Sequence, residues 1–475
     1  MWQARLTTAR WLLLGIVAAL APLARDAAAQ EKNKPRWNLV AIVTDDQGRW
    51  AMGAYGNSDI HTPHMDRIAR EGALFTNAIA ACPVCSPSRA TYMTGLYPTE
   101  LGITDWIHPQ EAAQGLGLRA LTWPAVLQRH GYRTAMIGKW HLGAQPPYHP
   151  TRLGFDYFLG FLHGGNRPMN AVLEIDGRRQ QTQGPLPDVL TDAAIGFIRR
   201  HRDEPFAVCL HFRAPHLPYG PVPEEDKAHY RNTDPQVPRV PGYPPQRLKQ
   251  RTLAYYASIS SVDRNVGRLL KALEELGLAQ RTIVVFTSDH GYNEGRHNVN
   301  TKGNGAWIAG GVSGPKRPNM WETSITVPLA VRWPGVVRPG TVIDYPVSNL
   351  DMFRTVLGML EIPVPQDCKA RGIDFSPLLR GKQLPPRPAL FGQYDLHNNG
   401  LAYLRMVRTE RWKLVKHFKC RGLDELYDLK NDPQERRNLL RGRSTPEARQ
   451  AKEKLEAMLL EWMKQIDDPL LKSTY

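Results

Sequence analysis

Four stretches of this chain share one layout: a run of apolar, β-prone residues passes without alternation into a polar cluster. Trp37–Thr44 (WNLVAIVT) runs into Asp45-Asp46-Gln47-Gly48, and Arg281–Ser288 (RTIVVFTS) into Asp289-His290-Gly291. Phe206–Phe212 (FAVCLHF) leads to Ala214-Pro215-His216, and Arg133–Ile137 to Gly138-Lys139-Trp140-His141. Unbroken apolar runs suit strands covered on both faces. Amphipathic segments separate them: Thr122–His130, ending at Gly131, and Leu253–Leu276, ending at Gly277. This alternation predicts an α/β fold with a large, mostly parallel central sheet flanked by helices. Ligands in open sheets of this kind sit beyond the carboxyl ends of the strands. All four polar clusters fall at such ends, so the sequence predicts one site assembled from distant segments.

The chain changes character after Leu384-Pro385-Pro386-Arg387-Pro388. Leu401–His417 reads as a hairpin turning near Glu410, and Leu426–Leu429 and a charged helix, Pro446–Asp467, follow. These predict a smaller C-terminal α+β unit with a short antiparallel sheet, and a division of the chain into 1–29, 30–385 and 386–475. Residues 1–29 have the layout of a secretory signal peptide. Arg5 and Arg10 precede the apolar run Trp11–Leu23, and Ala27-Ala28-Ala29 offers small residues for cleavage. The run is short for a bilayer span and contains Pro22. The expectation is export, to the periplasm or outside, without stable membrane insertion. Removing residues 1–29 takes away three arginines and one aspartate, so the formal charge of +16 becomes +14. Such a surface favours anionic partners, but no basic run with interleaved aromatics points to nucleic acid. The five cysteines are too few for a disulfide scaffold in 475 residues. Cys209, in an apolar run, reads as a buried thiol, and a pairing of Cys368 with Cys420 stays open.

Cys85 stands in Pro83-Val84-Cys85-Ser86-Pro87-Ser88-Arg89. With Cys82 it forms a CxxC, which fits a disulfide or redox pair; no second pair completes a zinc site. Ser86 and Pro87 suit the N-cap and first turn of a helix running to Met93. Cys85 then lies at a helix N-terminus, where free amides and the dipole attract an anion. Arg89, one turn in, reaches back to the same place.

Cys85-Ser86-Pro87-Ser88-Arg89, followed by Thr94-Gly95, resembles the signature of the type I sulfatases of the alkaline phosphatase superfamily. The likeness takes in Asp45-Asp46, Gly138–Gly143 (GKWHLG), Ser288–Gly291 (SDHG), Pro328–Gly335 (PLAVRWPG) and Glu425–Pro433 (ELYDLKNDP). It implies an alkaline phosphatase-like fold and the oxidation of Cys85 to Cα-formylglycine by a formylglycine-generating enzyme. The hydrated aldehyde then attacks sulfur with one hydroxyl, and the second lets the sulfated diol collapse, an exit that a serine or cysteine adduct lacks. The resemblance implies Ca²⁺, less readily Mg²⁺, on Asp45, Asp46, Asp289, His290 and the formylglycine at position 85. Singly, each acidic residue reads as an ordinary strand-end turn residue. His290 stands where many relatives have asparagine, and imidazole is an unusual ligand for a hard cation.

By the same resemblance Arg89 and Lys139 neutralise the sulfate and orient the diol. His141 takes the proton when the adduct collapses, and His216 lies near the leaving oxygen. His61, His64, His108, His163 and His397 lack a strand-end position and read as surface or pocket residues. A further catalytic lysine follows SDHG, with Lys302 and Lys316 as candidates. Glycines around Lys302 allow close backbone approach to an anion, whereas Pro315 and Pro318 make the Lys316 segment read as a surface turn. The choice falls on Lys302. The implied activity is hydrolysis of sulfate esters, with a sulfated carbohydrate as the expected substrate. Two rivals stand beside it: a phosphonate monoester hydrolase or phosphodiesterase on the same scaffold, and an exported binding protein without catalysis.

Overall fold

The apolar runs pair as neighbours. Asn38–Asp45 lies inside a ten-stranded sheet, parallel to Thr282–Ser288 on one side and to Phe206–Pro215 on the other. Across the sheet the order is Thr341–Ile343, Ala73–Phe75, Leu329–Arg332, Thr282–Ser288, Asn38–Asp45, Phe206–Pro215, Arg133–Lys139, Tyr157–Phe161, Val172–Ile175 and Arg178–Gln181. Pairing is parallel through the middle; Leu329–Arg332 and the last two strands run antiparallel to their neighbours. The computed structural model describes residues 36–472 apart from 112, 118, 119, 310, 311, 399, 420 and 421. The signal-peptide segment and Cys420 lie outside the described residues. The unit described here runs from Asn38.

Register explains why the polar clusters meet. Asn38 pairs with Thr282 and Thr44 with Ser288, so Asp45 and Asp289 leave the sheet side by side. Val43 pairs with His211, and after an irregularity Asp45 pairs with Pro215. Gly138 also pairs with His211, which brings Lys139 to the same edge. Strand residues alternate between faces. Val40, Ile42, Val208, Leu210, Phe212, Val284 and Phe286 share one core with the helices Pro63–Arg70, Leu186–Arg200 and Pro245–Glu275. On the other face Cys85–Thr94, Trp123–Arg129 and Met352–Met359 pack together. Truncating any one of these buried large aliphatic side chains to alanine costs about 2–5 kcal/mol.

The helix expected over Leu253–Leu276 begins eight residues earlier, at Pro245. Its first two turns bury only Leu248 and Thr252, so no apolar stripe marks them. Short strands such as Ala73–Phe75 and Thr341–Ile343 carry too few residues to show a pattern. Near the C-terminus Leu390–Leu396, Ala402–Arg408, Trp412–Phe418 and Glu425–Asp428 form the antiparallel sheet. Leu455, Leu459 and Trp462 of the helix Pro446–Gln465 share a core with Val407, Leu414 and Leu426 of that sheet, and with Ala81 and Tyr97 from the first half of the chain. Lys413 is fully buried between Glu322 and Glu435, and Arg408 also pairs with Glu322. Among the described residues Cys82, Cys85, Cys209 and Cys368 are free thiols.

Candidate active site

Cys85 is the first residue of the helix Cys85–Thr94, every residue of which is buried. Val84 precedes it in extended conformation with no side-chain cap. The expected cap at Ser86 does not form, because the helix starts two residues earlier than the Ser-Pro signal suggests. Ser86 Oγ instead accepts from the Ile107 N–H at 3.0 Å. Cys85 therefore stands at the positive end of the helix dipole.

Three groups from other segments reach Cys85 Sγ: Lys302 Nζ at 3.0 Å, His290 Nε2 at 3.5 Å and Asp45 Oδ1 at 3.6 Å. Burial, and after it the Asp45 charge, push this thiol up. The ammonium groups of Lys139 and Lys302, with the bond to His290, outweigh them and bring it to about 6. Burial without such partners pushes Cys82 and Cys209 well up. Position 85 is thus built to hold negative charge, which an inert filler does not require; its CxxC neighbour Cys82 is fully buried and is a free thiol.

The carboxylates alternate with cations around it. Asp45 accepts from Lys139 Nζ at 2.5 Å and has Arg89 Nη2 at 3.9 Å. Asp46 accepts from Lys302 Nζ at 2.8 Å, with His290 Nε2 at 3.4 Å and His216 Nε2 at 3.8 Å. Asp289 accepts from Arg89 Nε at 3.0 Å, and His290 Nε2 lies 3.5 Å from it. Burial, and then the nearby Asp45 charge, raise Asp289 to about 6. Ligand atoms of Asp45, Cys85, Asp289 and His290 lie within 4.8 Å of one another, as do those of Asp45, Asp46 and His216. Hard carboxylate oxygens crowded by like charge fit a divalent cation such as Ca²⁺. His290 Nδ1 lies 2.9 Å from the Gly291 carbonyl. That carbonyl can only accept, so Nδ1 carries the proton and Nε2 faces the acids. Burial lowers this imidazole, but Asp289 holds it at about 9, so a cation bound at Nε2 displaces a proton. Asp46 keeps a left-handed backbone with φ of 69° at this turn.

Arg89 is fixed by three bonds. Besides Asp289, its Nη1 donates to the Lys139 carbonyl at 3.0 Å and to His211 Nδ1 at 3.2 Å. Its Nη2 is buried and has no hydrogen-bond partner. His141 Nε2 lies 3.1 Å from the Ile107 carbonyl, which makes Nε2 the donor and leaves Nδ1 buried and unbonded. Burial, and then the Lys139 charge, hold His141 well below the usual histidine range. It is a neutral base with a free lone pair. His216 Nδ1 meets the Leu217 carbonyl at 2.8 Å, so its Nε2 is turned to Asp46.

The structure thus brings Asp45, Asp46, Cys85, Arg89, Lys139, His141, His216, Asp289, His290 and Lys302 to one end of the sheet. Lys316 is exposed, and it ends the strand Val312–Lys316 where a turn was expected. A side chain at Gly303 would meet Pro83 Cγ at 2.3 Å, so only glycine lets the Lys302 loop close on the Cys85 segment. Asn293 Nδ2 donates to the Thr301 carbonyl at 2.9 Å and Asn319 N–H to the Gly303 carbonyl at 2.9 Å, gripping that loop on both sides of the lysine. Sequence reasoning missed His211, although a histidine inside a wholly apolar strand is itself a signal. It also missed Tyr255, whose hydroxyl donates to the Asp46 carbonyl at 2.7 Å, and Asn349, which donates to Ser88 Oγ at 2.8 Å. Neither carries any local mark.

Comparison with known proteins gives the family. The family model described as Sulfatase matches residues 37–362, and that described as N-sulphoglucosamine sulphohydrolase, C-terminal, matches residues 315–465. The chain is 31% identical to a steryl-sulfatase of Mus musculus, over 92% of this chain and 84% of that one. It is 29% identical to an N-acetylglucosamine-6-O-sulfatase of Bacteroides thetaiotaomicron, over 96% and 91%. A solved structure in complex with its substrate D-glucosamine-2-N,6-O-disulfate superposes with a TM-score of 0.79 at 26% identity, covering 92% of this chain and 100% of that one.

Proposed function

The chain belongs to the type I sulfatase family and is a sulfuric ester hydrolase, and on that premise we propose that it is exported and cleaves a sulfate ester of a sulfated carbohydrate. The reading includes oxidation of Cys85 to formylglycine by a formylglycine-generating enzyme. It also includes a Ca²⁺ ion, or less readily Mg²⁺, held by Asp45, Asp46, Asp289, His290 and position 85. When present, the aldehyde hydrate supplies an oxygen nucleophile and the cation polarises the sulfate.

The chain's own residues do the rest. Arg89, held by Asp289, His211 and the Lys139 carbonyl, offers its one unbonded donor, Nη2, to a sulfate oxygen. Lys139 and Lys302 face the same anion from two sides, where charge developing on oxygen is stabilised by fixed donors. His141 offers Nδ1 as the proton acceptor on the nucleophile. His216 presents Nε2, the atom its Leu217 bond leaves free, toward the departing alcohol, and protonates it as the imidazolium, since in the neutral ring the single proton sits on Nδ1 against the Leu217 carbonyl. The observation that carries this reading is the convergence of Lys302, His290 and Asp45 on Cys85 at a helix N-terminus.

The carbohydrate substrate is supported by what the N-acetylglucosamine-6-O-sulfatase relative and the disulfated glucosamine complex are named for. Export is supported by the leader-like residues 1–29; no helix among the described residues is long and apolar enough to cross a membrane. The test is peptide mass analysis of the segment containing Cys85, alongside turnover of an aryl sulfate. The expected peptide has a carbonyl in place of the thiol. Full activity in protein whose Cys85 is still a thiol would sink the mechanism. Cys82→Ala is expected to be mild where Cys85→Ala abolishes turnover.

A further inference from the structure

A cavity of about 260 Å³ opens beside His141. Its polar wall is His108, Glu111, Gln114, Gln145 and His163, with Ile107 and Leu162 supplying carbon surface. None of the described residues lining it is a lysine or an arginine. That is notable in a chain of charge +16, and it bears on which part of a sulfated glycan enters here.

The wall is fixed. Glu111 accepts from the His108 N–H at 2.7 Å, Gln114 Nε2 at 3.1 Å, His397 Nε2 at 2.7 Å and Asn398 Nδ2 at 3.3 Å. Asp105 accepts from the His397 and Asn398 backbone N–H groups at 3.1 and 3.0 Å. The turn that follows the strand Leu390–Leu396 is therefore tied to residues 105–111. A side chain at Gly164 would strike the His141 ring at 2.6 Å, so glycine keeps this side of the imidazole open. The side chains of Gln145 and His163 make no hydrogen bond to any described residue, and His141 Nδ1 is buried and unbonded.

We propose that this cavity seats the sugar bearing the scissile ester, and that it selects a sugar whose neighbouring substituents are uncharged hydroxyl or acylamino groups. The inference rests on the sulfatase reading of the site and deepens it. A second sulfate or a carboxylate placed here would lie close to the Glu111 charge with no lysine or arginine among the described lining residues to offset the repulsion. Hydroxyl and acylamino groups both donate and accept, and amide and imidazole side chains match them in both senses. The basic surface acts at longer range, concentrating polyanionic chains near the protein. It does not decide which ring enters.

The experiment uses mature enzyme with formylglycine at position 85 verified by mass and with Ca²⁺ supplied. It compares a monosulfated N-acetylhexosamine with the same sugar carrying a second sulfate on a neighbouring carbon. The expected result is a kcat/KM at least about tenfold higher for the monosulfated sugar. His163→Ala should raise KM for that sugar about fivefold, the loss of one hydrogen bond, with little change in kcat. Gln114→Arg, which sets a cation beside Glu111, should narrow the mono-to-disulfated ratio about tenfold through the KM of the disulfated sugar. Equal or better turnover of the disulfated sugar by the wild type overturns the inference. So does a ratio unmoved by Gln114→Arg in a variant that melts like the wild type. Wild-type turnover of an aryl sulfate separates the two failures. If neither the aryl sulfate nor either sugar sulfate is turned over, the sulfatase reading falls, and this inference with it; if any of them is turned over, indifference to the second sulfate overturns the inference alone.

Discussion

Lys302→Ala isolates one charge at the centre of the proposed chemistry. The Lys302 ammonium lies 3.0 Å from Cys85 Sγ, next to the place where a nucleophilic oxygen would stand, and 2.8 Å from Asp46. A unit charge at that distance, with an effective dielectric constant of about 20, is worth about 5 kcal/mol. Asp46 neutralises part of it, so the loss in the transition state should be smaller, about 3–4 kcal/mol. Removing a comparable preorganised donor costs about 10²–10³ in kcat. Burial works against this ammonium, but Asp46, Cys85 and Asp45 hold it well above its ordinary range, so it stays charged across the working pH. Lys316 is exposed and forms no ion pair with any described residue, so its contribution is screened and Lys316→Ala should fall within a few-fold of wild type. The assay is matched steady-state kinetics on one sulfate ester, with formylglycine content and Ca²⁺ occupancy measured for each variant. Near-wild-type kcat in Lys302→Ala, with a hundredfold loss in Lys316→Ala, would refute the assignment. A loss in Lys302→Ala that excess Ca²⁺ restores would trace the effect to Asp46 and the cation instead.

Asp289→Asn keeps the shape of the site but removes one negative charge from the cation site and the carboxylate that pairs with Arg89; we expect turnover to fall at least about a hundredfold and the stabilisation of the fold by Ca²⁺ to weaken. Chelation should inhibit the wild type and Ca²⁺ should restore it; undiminished activity in verified metal-free enzyme would remove the cation from the mechanism. His216→Ala should impair sugar sulfates far more than aryl sulfates, because only a poor leaving alcohol needs a proton, and equal losses on both would assign His216 to binding alone. Glu425 tests acid stability, since it bonds His417 at 2.8 Å and Trp321 Nε1 at 3.1 Å. Burial raises it, but the His417 bond and the Arg317 charge bring it down to about 2. Its folded value lies below the unfolded value of about 4.3, so its stabilisation is present above that pH and is lost as pH falls toward about 2. Glu425→Gln should therefore lie up to about 3 kcal/mol below wild type at pH 6, with the gap narrowing at pH 3 in urea titrations; a pH-independent gap would contradict the linkage.

The apolar runs and their polar ends determined the sheet, its mostly parallel sense and the edge at which a site must lie. Strand patterning is local, and a parallel strand buried on both faces announces itself over seven or eight residues. The positions of Asp45, Asp289 and His141 at that edge were legible because each follows such a run, Cys85 was placed by its helix-start neighbours, and the glycines around Lys302 marked it apart from Lys316; the chemistry expected of them came from the resemblance to the sulfatase signature. Only the tertiary structure decided what those residues touch. Cys85 meets His290 and Lys302 across 205 and 217 residues of chain, and such contacts follow from strand register and loop closure, which no local pattern encodes. The roles of His211, Tyr255 and Asn349 exist only through those long-range contacts, and so do the proton positions on His141, His216 and His290. The wall beside His141, with no lysine or arginine among its described residues, was equally hidden. Its residues come from segments near 108–114, 141–145 and 162–163, with His397 bracing Glu111 from the C-terminal sheet, and nothing in any one of those segments says that they share a surface.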